Sequence, residues 1–246
     1  MDKLKMPNSL SQAKILIIVP AFNESGNIGR TIEDIKKQSL PVDILVIDDG
    51  SVDGTALEAW GLGVKVVSLP FNLGIGGAVQ TGFQYALQYG YSIAVQIDGD
   101  GQHDASFLEK LIAPILDDKA DMVVGSRFIE DRGGFKSSFA RRLGIHFFVH
   151  LINTLTGLNI TDPTSGFRAH NQRLISVFAH YYPHDFPEPE SIVVAKRLGG
   201  RIVETAVLMR KREEGQSSIR QLKSLYYMVK VTFAILLHMI RSKEGR

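Results

Sequence analysis

The stretch AVQIDGDGQHD, Ala94 to Asp104, decides how this chain is read. A run of apolar and β-favouring residues ends there in Asp98-Gly99-Asp100. In extended backbone, side chains two residues apart point the same way. Two carboxylates so placed repel each other unless a cation lies between them. A hard divalent ion, Mg²⁺ or Mn²⁺, takes such oxygen ligands and shares them with substrate phosphates. Gly99 and Gly101 let the backbone approach a bulky ligand. A solvated Asp-Gly turn fits the bare pattern equally well. An EF-hand does not: Glu109 falls at the twelfth position from Asp98, but His103 holds the sixth, where the sharp turn needs glycine.

On either side, strand and helix signals alternate. Lys14–Pro20 (KILIIVP), Val42–Gly50 (VDILVIDDG), Val64–Leu69, Tyr91–Asp98 and Ala120–Ser126 read as buried strands. Between them, Asn23–Gln38 reads as a helix with Ile28, Ile32 and Ile35 at helical spacing, followed by helices at Gly76–Gly90 and Asp104–Asp118. The pattern is α/β: a mostly parallel sheet covered on both faces. Ligands of such sheets bind beyond the carboxyl ends of the strands. Polar clusters stand there: Asn23-Glu24, Asp48-Asp49, Asp98-Gly99-Asp100 and Ser126-Arg127. Further on, the pattern predicts a basic loop, a helix from about Ser137 to Leu155, a turn-rich link at Asp162–Asn171 and the end of a helix at Ile192–Gly200. A late strand at Arg201–Met209 and a terminal helix at Ser217–Ile240 complete it. No repeat or linker interrupts the chain. The expected division is one catalytic-sized domain, residues 1–216, and a C-terminal amphipathic helix, residues 217–246.

The chain has 246 residues, 44% hydrophobic and 22% charged, enough for a full core. A net charge of +2 gives no global field for nucleic acid. The absence of cysteine excludes disulfides and thiolate metal sites and suits a reducing compartment. The apolar run Ile15–Val19 is too short for a signal-peptide core. The run Leu225–Ile240 contains Lys230 and His238 and falls short of the roughly 20 apolar residues that span a bilayer. The expectation is a cytoplasmic protein, peripheral at the inner face of the membrane.

Other clusters leave two readings open. IDDGSVDGT is a strand-to-helix turn with Asp53 or Thr55 as a cap, or it places Asp49 to bind a base or ribose. NLGIGGAVQTG matches neither a P-loop nor the dinucleotide fingerprint and suggests a tight turn and close helix packing. His146 and His150 are spaced as a zinc pair but lack a third ligand. The clusters at Lys136 with Arg141-Arg142, and at Arg210-Lys211-Arg212, are solvated surface or anion sites, since arginine forks match phosphate oxygens.

Taken together, VPAFNES, VIDDGSVDGT, NLGIGGAVQTG, DGDGQHD, VGSRF, DPTSGFRA and RKREEGQSS resemble, in order and spacing, the family-2 glycosyltransferases. The set is most similar to the branch of dolichyl-phosphate mannose synthases and bacterial polyprenyl-phosphate glycosyltransferases, across roughly residues 14 to 240. The resemblance implies a GT-A fold, an inverting hexosyltransferase, a UDP- or GDP-sugar donor and Mg²⁺ or Mn²⁺. It implies that Pro20, Phe22 and Glu24 meet the nucleotide, and that Ile47 and Asp49 form the base and ribose site. Asp98, Gly99 and Asp100 match the D-x-D motif, with Gln102 completing the metal site. Arg127 matches an arginine near the donor phosphates. Arg212 and Ser218 match the region that closes over the diphosphate. Glu188 and Glu190, in FPEPES, stand where inverting relatives place a catalytic carboxylate. The implied acceptor is polyprenyl phosphate, already an oxyanion; the alternative is a hydroxyl of a lipid-linked glycan, which needs a base within about 3 Å. Many bacterial members carry C-terminal transmembrane helices, and the expectation from residues 1–246 is a protein without them. Its terminal stripe, Ile219 to Ile240, flanked by Arg220, Lys223, Arg241, Lys243 and Arg246, suits either a membrane surface, with or without a separate membrane protein, or a homo-oligomer interface. A sugar-phosphate nucleotidylyltransferase is disfavoured because VPAFNES holds the place of its glycine-rich signature. The intact D-x-D and Arg212 speak against a non-catalytic nucleotide-binding scaffold.

Overall fold

A computed structural model of the protein describes residues 13–130, 139–210 and 221–240. Seven strands form one sheet: β1 (Ile15–Ala21), β2 (Val42–Asp48), β3 (Lys65–Ser68), β4 (Ile93–Gln96), β5 (Met122–Ser126), β6 (Arg168–Asn171) and β7 (Ile202–Ala206). Their order is β3-β2-β1-β4-β6-β5-β7. All pairs are parallel except those of β6, which runs antiparallel to both β4 and β5.

Alternation along β1 sets up two cores. Leu16 and Ile18 face one side with Leu45, Ile47, Val79 and Phe83; Ile15, Ile17 and Val19 face the other with Ile28, Ile32, Leu108 and Leu111. Helices α3 (Gly74–Gln88), α6 (Gln172–His180) and α7 (Pro187–Arg197) cover the first face; α1 (Ile28–Lys36) and α4 (Leu108–Leu116) cover the second. Burial on both faces is why these strands read as unbroken apolar runs. The glycine-rich segment does serve packing. Gly82 lies against Ile18 and Gly76 against the Pro183 and His184 backbone, with no room for a Cβ at either.

Two elements depart from expectation. α1 begins at Ile28, five residues later than predicted, because residues 23–26 bond to the segment after β2: Asn23 Oδ1 accepts from Val52 N at 3.0 Å and Glu24 N donates to Thr55 Oγ1 at 2.8 Å. Glu58, on the short helix α2 (Thr55–Gly61), accepts from Gly26 N and Gly29 N and so satisfies α1's exposed amides. The predicted link at Asp162–Asn171 ends in β6, at the centre of the sheet. Arg168, His170 and Asn171 hid that strand from a hydrophobicity reading.

Helix α5 (Phe139–Thr156) packs against α7, and α8 (Gln221–Ile240) against α7 as well. Val231 and Ile235 of α8 are fully buried in the same core as α3 and α6, so this helix is built into the domain. The expected boundary at 216/217 lies outside the described residues. Among the described residues, no helix is long and apolar enough to cross a membrane.

Candidate active site

Because β6 is antiparallel, its first residue lies at the same sheet edge as the ends of β4 and β5: Arg168 is in register with Gln96 and Val124. The turn Asp162–Gly166 therefore joins the strand-end loops after β1, β2, β4 and β5. At the centre of that edge is the Asp98–Gln102 turn. Gly99 N donates to Pro20 O at 3.3 Å, and Thr31 Oγ1 of α1 donates to Gly99 O at 3.3 Å. Asp100 Oδ1 accepts from Gln102 N at 3.1 Å. The backbones of Gln102 and Arg210 are joined at 2.8 Å, and His103 forms an antiparallel bridge with Met209. Arg210 also pairs with Asp34 and Asp104. A cleft of about 220 Å³ beside the turn is lined by Asn27, Arg30, Asp34, Asp100 and Arg210, among others.

The residues fit a hard divalent cation. Two carboxylates share one turn, and the side chain of Asp98 remains one-third exposed. The carboxylate packs against Gly166, where any side chain would collide with it. Among the described residues no cluster of three acidic, histidine or cysteine ligands forms, so a cation here would draw further ligands from the Gln102 amide and from substrate phosphates.

The turn 162–166 is held from behind. Arg127 forks onto Asp162 (Nε to Oδ2 and Nη2 to Oδ1, both 2.6 Å) and reaches Thr164 Oγ1 at 2.8 Å. Asp162 is fully buried. Glu204 on β7 accepts from Thr161 N and Asp162 N, each at 2.8 Å, and burial raises its carboxyl pKa. Arg168, fully buried, donates to Ser165 O, Pro163 O, Ser191 Oγ and, at 2.5 Å, Glu188 O. It thereby ties the turn to the start of α7. Pro187 opens α7 in its first turn, where fixed φ suits a helix, and Glu188 and Glu190 stand at the positive end of its dipole. Glu188 is half-buried; burial raises its pKa, Arg168 offsets part, and the charges of Asp98 and Glu190 push it up again. Glu190 is buried.

The structure brings together Pro20, Asp98, Gly99, Asp100 and Gln102, with Glu188 near enough to Asp98 and Arg168 to sense their charge. Phe22 stands 46% exposed at the same edge, and Glu24 accepts from Asn27 Nδ2 at 2.8 Å. Ile47 is a correction. Its side chain is fully buried in the core between β2 and α3, so it offers no surface to a base. The carboxylate of Asp49 accepts from Leu73 N at 2.7 Å and Gly74 N at 2.9 Å, which orders the start of α3; burial raises its pKa. Arg127 likewise differs from expectation, being engaged by Asp162 and not open to phosphate. Arg212 and Ser218 lie outside the described residues. Arg168, Asp162 and Gly166 carry the site's architecture and were given no role from sequence, although DPTSGFRA was part of the resemblance.

A profile described as "Glycosyl transferase family 2" matches residues 16–181. The chain belongs to glycosyltransferase family 2. Within this family, it is 30% identical to the undecaprenyl-phosphate mannosyltransferase of Micrococcus luteus over 84% of this chain and 87% of that protein. It is 31% identical to the UDP-N-acetylglucosamine–dolichyl-phosphate N-acetylglucosaminyltransferase of Methanococcus voltae, over 74% of this chain and 80% of that one. Its fold matches glucosyl-3-phosphoglycerate synthase of Mycobacterium tuberculosis, crystallised with Mn²⁺, UDP-glucose and phosphoglyceric acid, with a TM-score of 0.73, 22% identity, and coverage of 98% of this chain and 88% of that one. The fold is GT-A, and the family-2 chain is a glycosyltransferase.

Proposed function

We propose that the protein transfers a hexose from a nucleoside-diphosphate sugar to the phosphate of a polyprenyl lipid, with Mg²⁺ or Mn²⁺ held by Asp98, Asp100 and Gln102. The observation that carries this reading is the pair of carboxylates on one glycine-flanked turn at the sheet edge, faced by Gly166. The names of the family-2 relatives support the lipid-phosphate acceptor, and the Mn²⁺ and UDP-glucose of the structural neighbour support the donor class.

A bound divalent ion supplies charge neutralisation for the departing diphosphate. The chain's own residues do the rest. Phe22 offers an exposed ring against which a base stacks. Asp49 and the loop after β1 shape the nucleotide's bed. Arg168 fixes the turn 162–166 and the start of α7, and with it the backbone of Glu188. Arg212 and Ser218 are proposed to meet the diphosphate; the backbone bond from Arg210 to Gln102 brings the chain leading to them beside the metal turn. A phosphate oxygen of the acceptor attacks the anomeric carbon as the bond to the nucleoside diphosphate breaks, with inversion.

One observation favours a hydroxyl acceptor on a lipid-linked glycan. Glu188 has a raised pKa, as suits a general base, and stands near Asp98. Incubation with a panel of UDP- and GDP-sugars, polyprenyl phosphate and Mn²⁺, followed by mass spectrometry, tests the proposal: a hexosyl phospholipid is expected, and failure of every donor in the panel contradicts it.

For access to lipid, α8 exposes Val229, Phe233, Leu236 and Leu237, and α5 exposes Leu143 and Phe147. We place the protein peripherally on the inner membrane face through this surface, supported by the basic residues at the end of the sequence.

A further inference from the structure

His103 has no part in the function proposed above. Its ring is 4% exposed and stacked on Phe167, with centroids 5.2 Å apart and planes 19° apart. Its Nδ1 accepts the backbone N–H of Asp98 at 3.1 Å. A neutral imidazole that accepts at Nδ1 carries its proton on Nε2. That Nε2 is buried and has no hydrogen-bond partner. It lies 3.8 Å from Asp98 Oδ2, just beyond hydrogen-bond reach. Buried donors are nearly always satisfied, so this one calls for an explanation.

The two groups differ in their freedom. The ring is held by Phe167 on one face and, through its backbone, by Met209. The Asp98 side chain is one-third exposed against 2% for that of His103, and its carboxylate has a 3.3 Å contact from Gln96 Nε2 and packs on the side-chain-free Gly166. Closing the gap therefore falls to the carboxylate. Second-shell donors commonly fix the orientation of metal-binding groups in this manner.

We propose that His103 is a positioning residue for the cation site. Nδ1 fixes the main chain of Asp98, and Nε2–H takes Asp98 Oδ2 as its partner when a divalent cation draws the carboxylate into its binding orientation. This rests on the reading of Asp98 as a cation ligand. A histidine that only fills space against Phe167 would leave cation affinity unchanged when its nitrogens are removed.

The test is Mn²⁺ binding by the full chain, alone and with UDP or GDP, followed by the electron paramagnetic resonance signal of free Mn²⁺. His103→Phe keeps the stack and loses both nitrogens. His103→Asn keeps an acceptor near the Nδ1 position and loses the Nε2–H. Both are expected to weaken Mn²⁺ binding by roughly 10–100-fold, with circular dichroism spectra like the wild type. If His103→Phe does not fold, His103→Asn decides alone. Wild-type Mn²⁺ affinity in a folded His103→Asn overturns the proposal while leaving the metal reading intact. No Mn²⁺ binding by the wild type with either nucleotide overturns the metal reading and the proposal with it.

Discussion

The carboxylate of Asp98 fills the volume that Gly166 leaves by having no side chain: a Cβ there would lie 2.8 Å from Oδ2 and 2.9 Å from Oδ1. Gly166→Ala should therefore act on Asp98 before it acts on the fold. Overpacking of this size costs about 1–3 kcal/mol. If it falls on the carboxylate's position, metal-dependent nucleotide binding drops roughly 5–150-fold. Mn²⁺-dependent UDP or GDP binding, read beside a melting curve, checks this. A lowered melting temperature with unchanged binding would place the strain elsewhere.

Arg127 and Asp162 form a buried ion pair, with side-chain exposures of 10% and 0%. Removing one partner of such a pair costs about 3–5 kcal/mol, because the other charge stays buried alone. Arg127→Met and Asp162→Asn should each show this loss in urea denaturation, and the double variant less than their sum. Near-wild-type stability of Arg127→Met with a raised donor KM would instead return Arg127 to the donor phosphates.

Glu188→Gln separates the acceptor readings. A phosphate oxyanion needs little deprotonation, so the loss in kcat should be modest. A hydroxyl acceptor would lose about 10²–10⁴-fold with its base. Because burial and neighbouring carboxylates raise the Glu188 pKa, a hydroxyl mechanism would also show an acid limb above the ordinary glutamate range, lost in the variant.

His170 lies fully buried on β6 between the Phe83 and Phe178 rings. Burial and the nearby Arg168 charge push its pKa down to about 3, with the Ala94 backbone offsetting part. The unfolded chain thus binds a proton near pH 6.5 that the folded chain refuses. Stability from this group is whole above pH 6.5 and falls by about 1.4 kcal/mol per pH unit below it, down to about 3. His170→Leu should flatten the stability–pH slope by one proton between pH 5.5 and 4.5, conditions read by denaturant titration at about those values. Parallel slopes would show that His170 is protonated in the fold.

Much of the sheet was legible because β1, β2, β4 and β5 are apolar runs buried on both faces. β6 was not, since a central strand reading Arg-Ala-His-Asn is stabilised by distant acceptors: Arg168 depends on the carbonyl of Glu188, twenty residues away. The Asp98–Gln102 turn could be singled out from spacing because its carboxylates and glycines are neighbours in sequence, although spacing alone leaves a solvated turn equally open. The ion pair of Arg127 was not legible, because its partner Asp162 lies 35 residues on. Ile47 illustrates the same limit: a position on a strand fixes which residue is near a site, but not which face its side chain takes.

The acceptor is the centre of the account, and one comparison tests it most directly. The full chain is given its best donor, Mn²⁺, and either polyprenyl phosphate or the matching polyprenol, and the lipids are analysed by mass spectrometry. The account predicts hexose on the phosphate-bearing lipid alone, with the product lost on chelation of the metal and in Asp100→Ala. Transfer to a hydroxyl-bearing lipid or glycan, with polyprenyl phosphate refused, would contradict it.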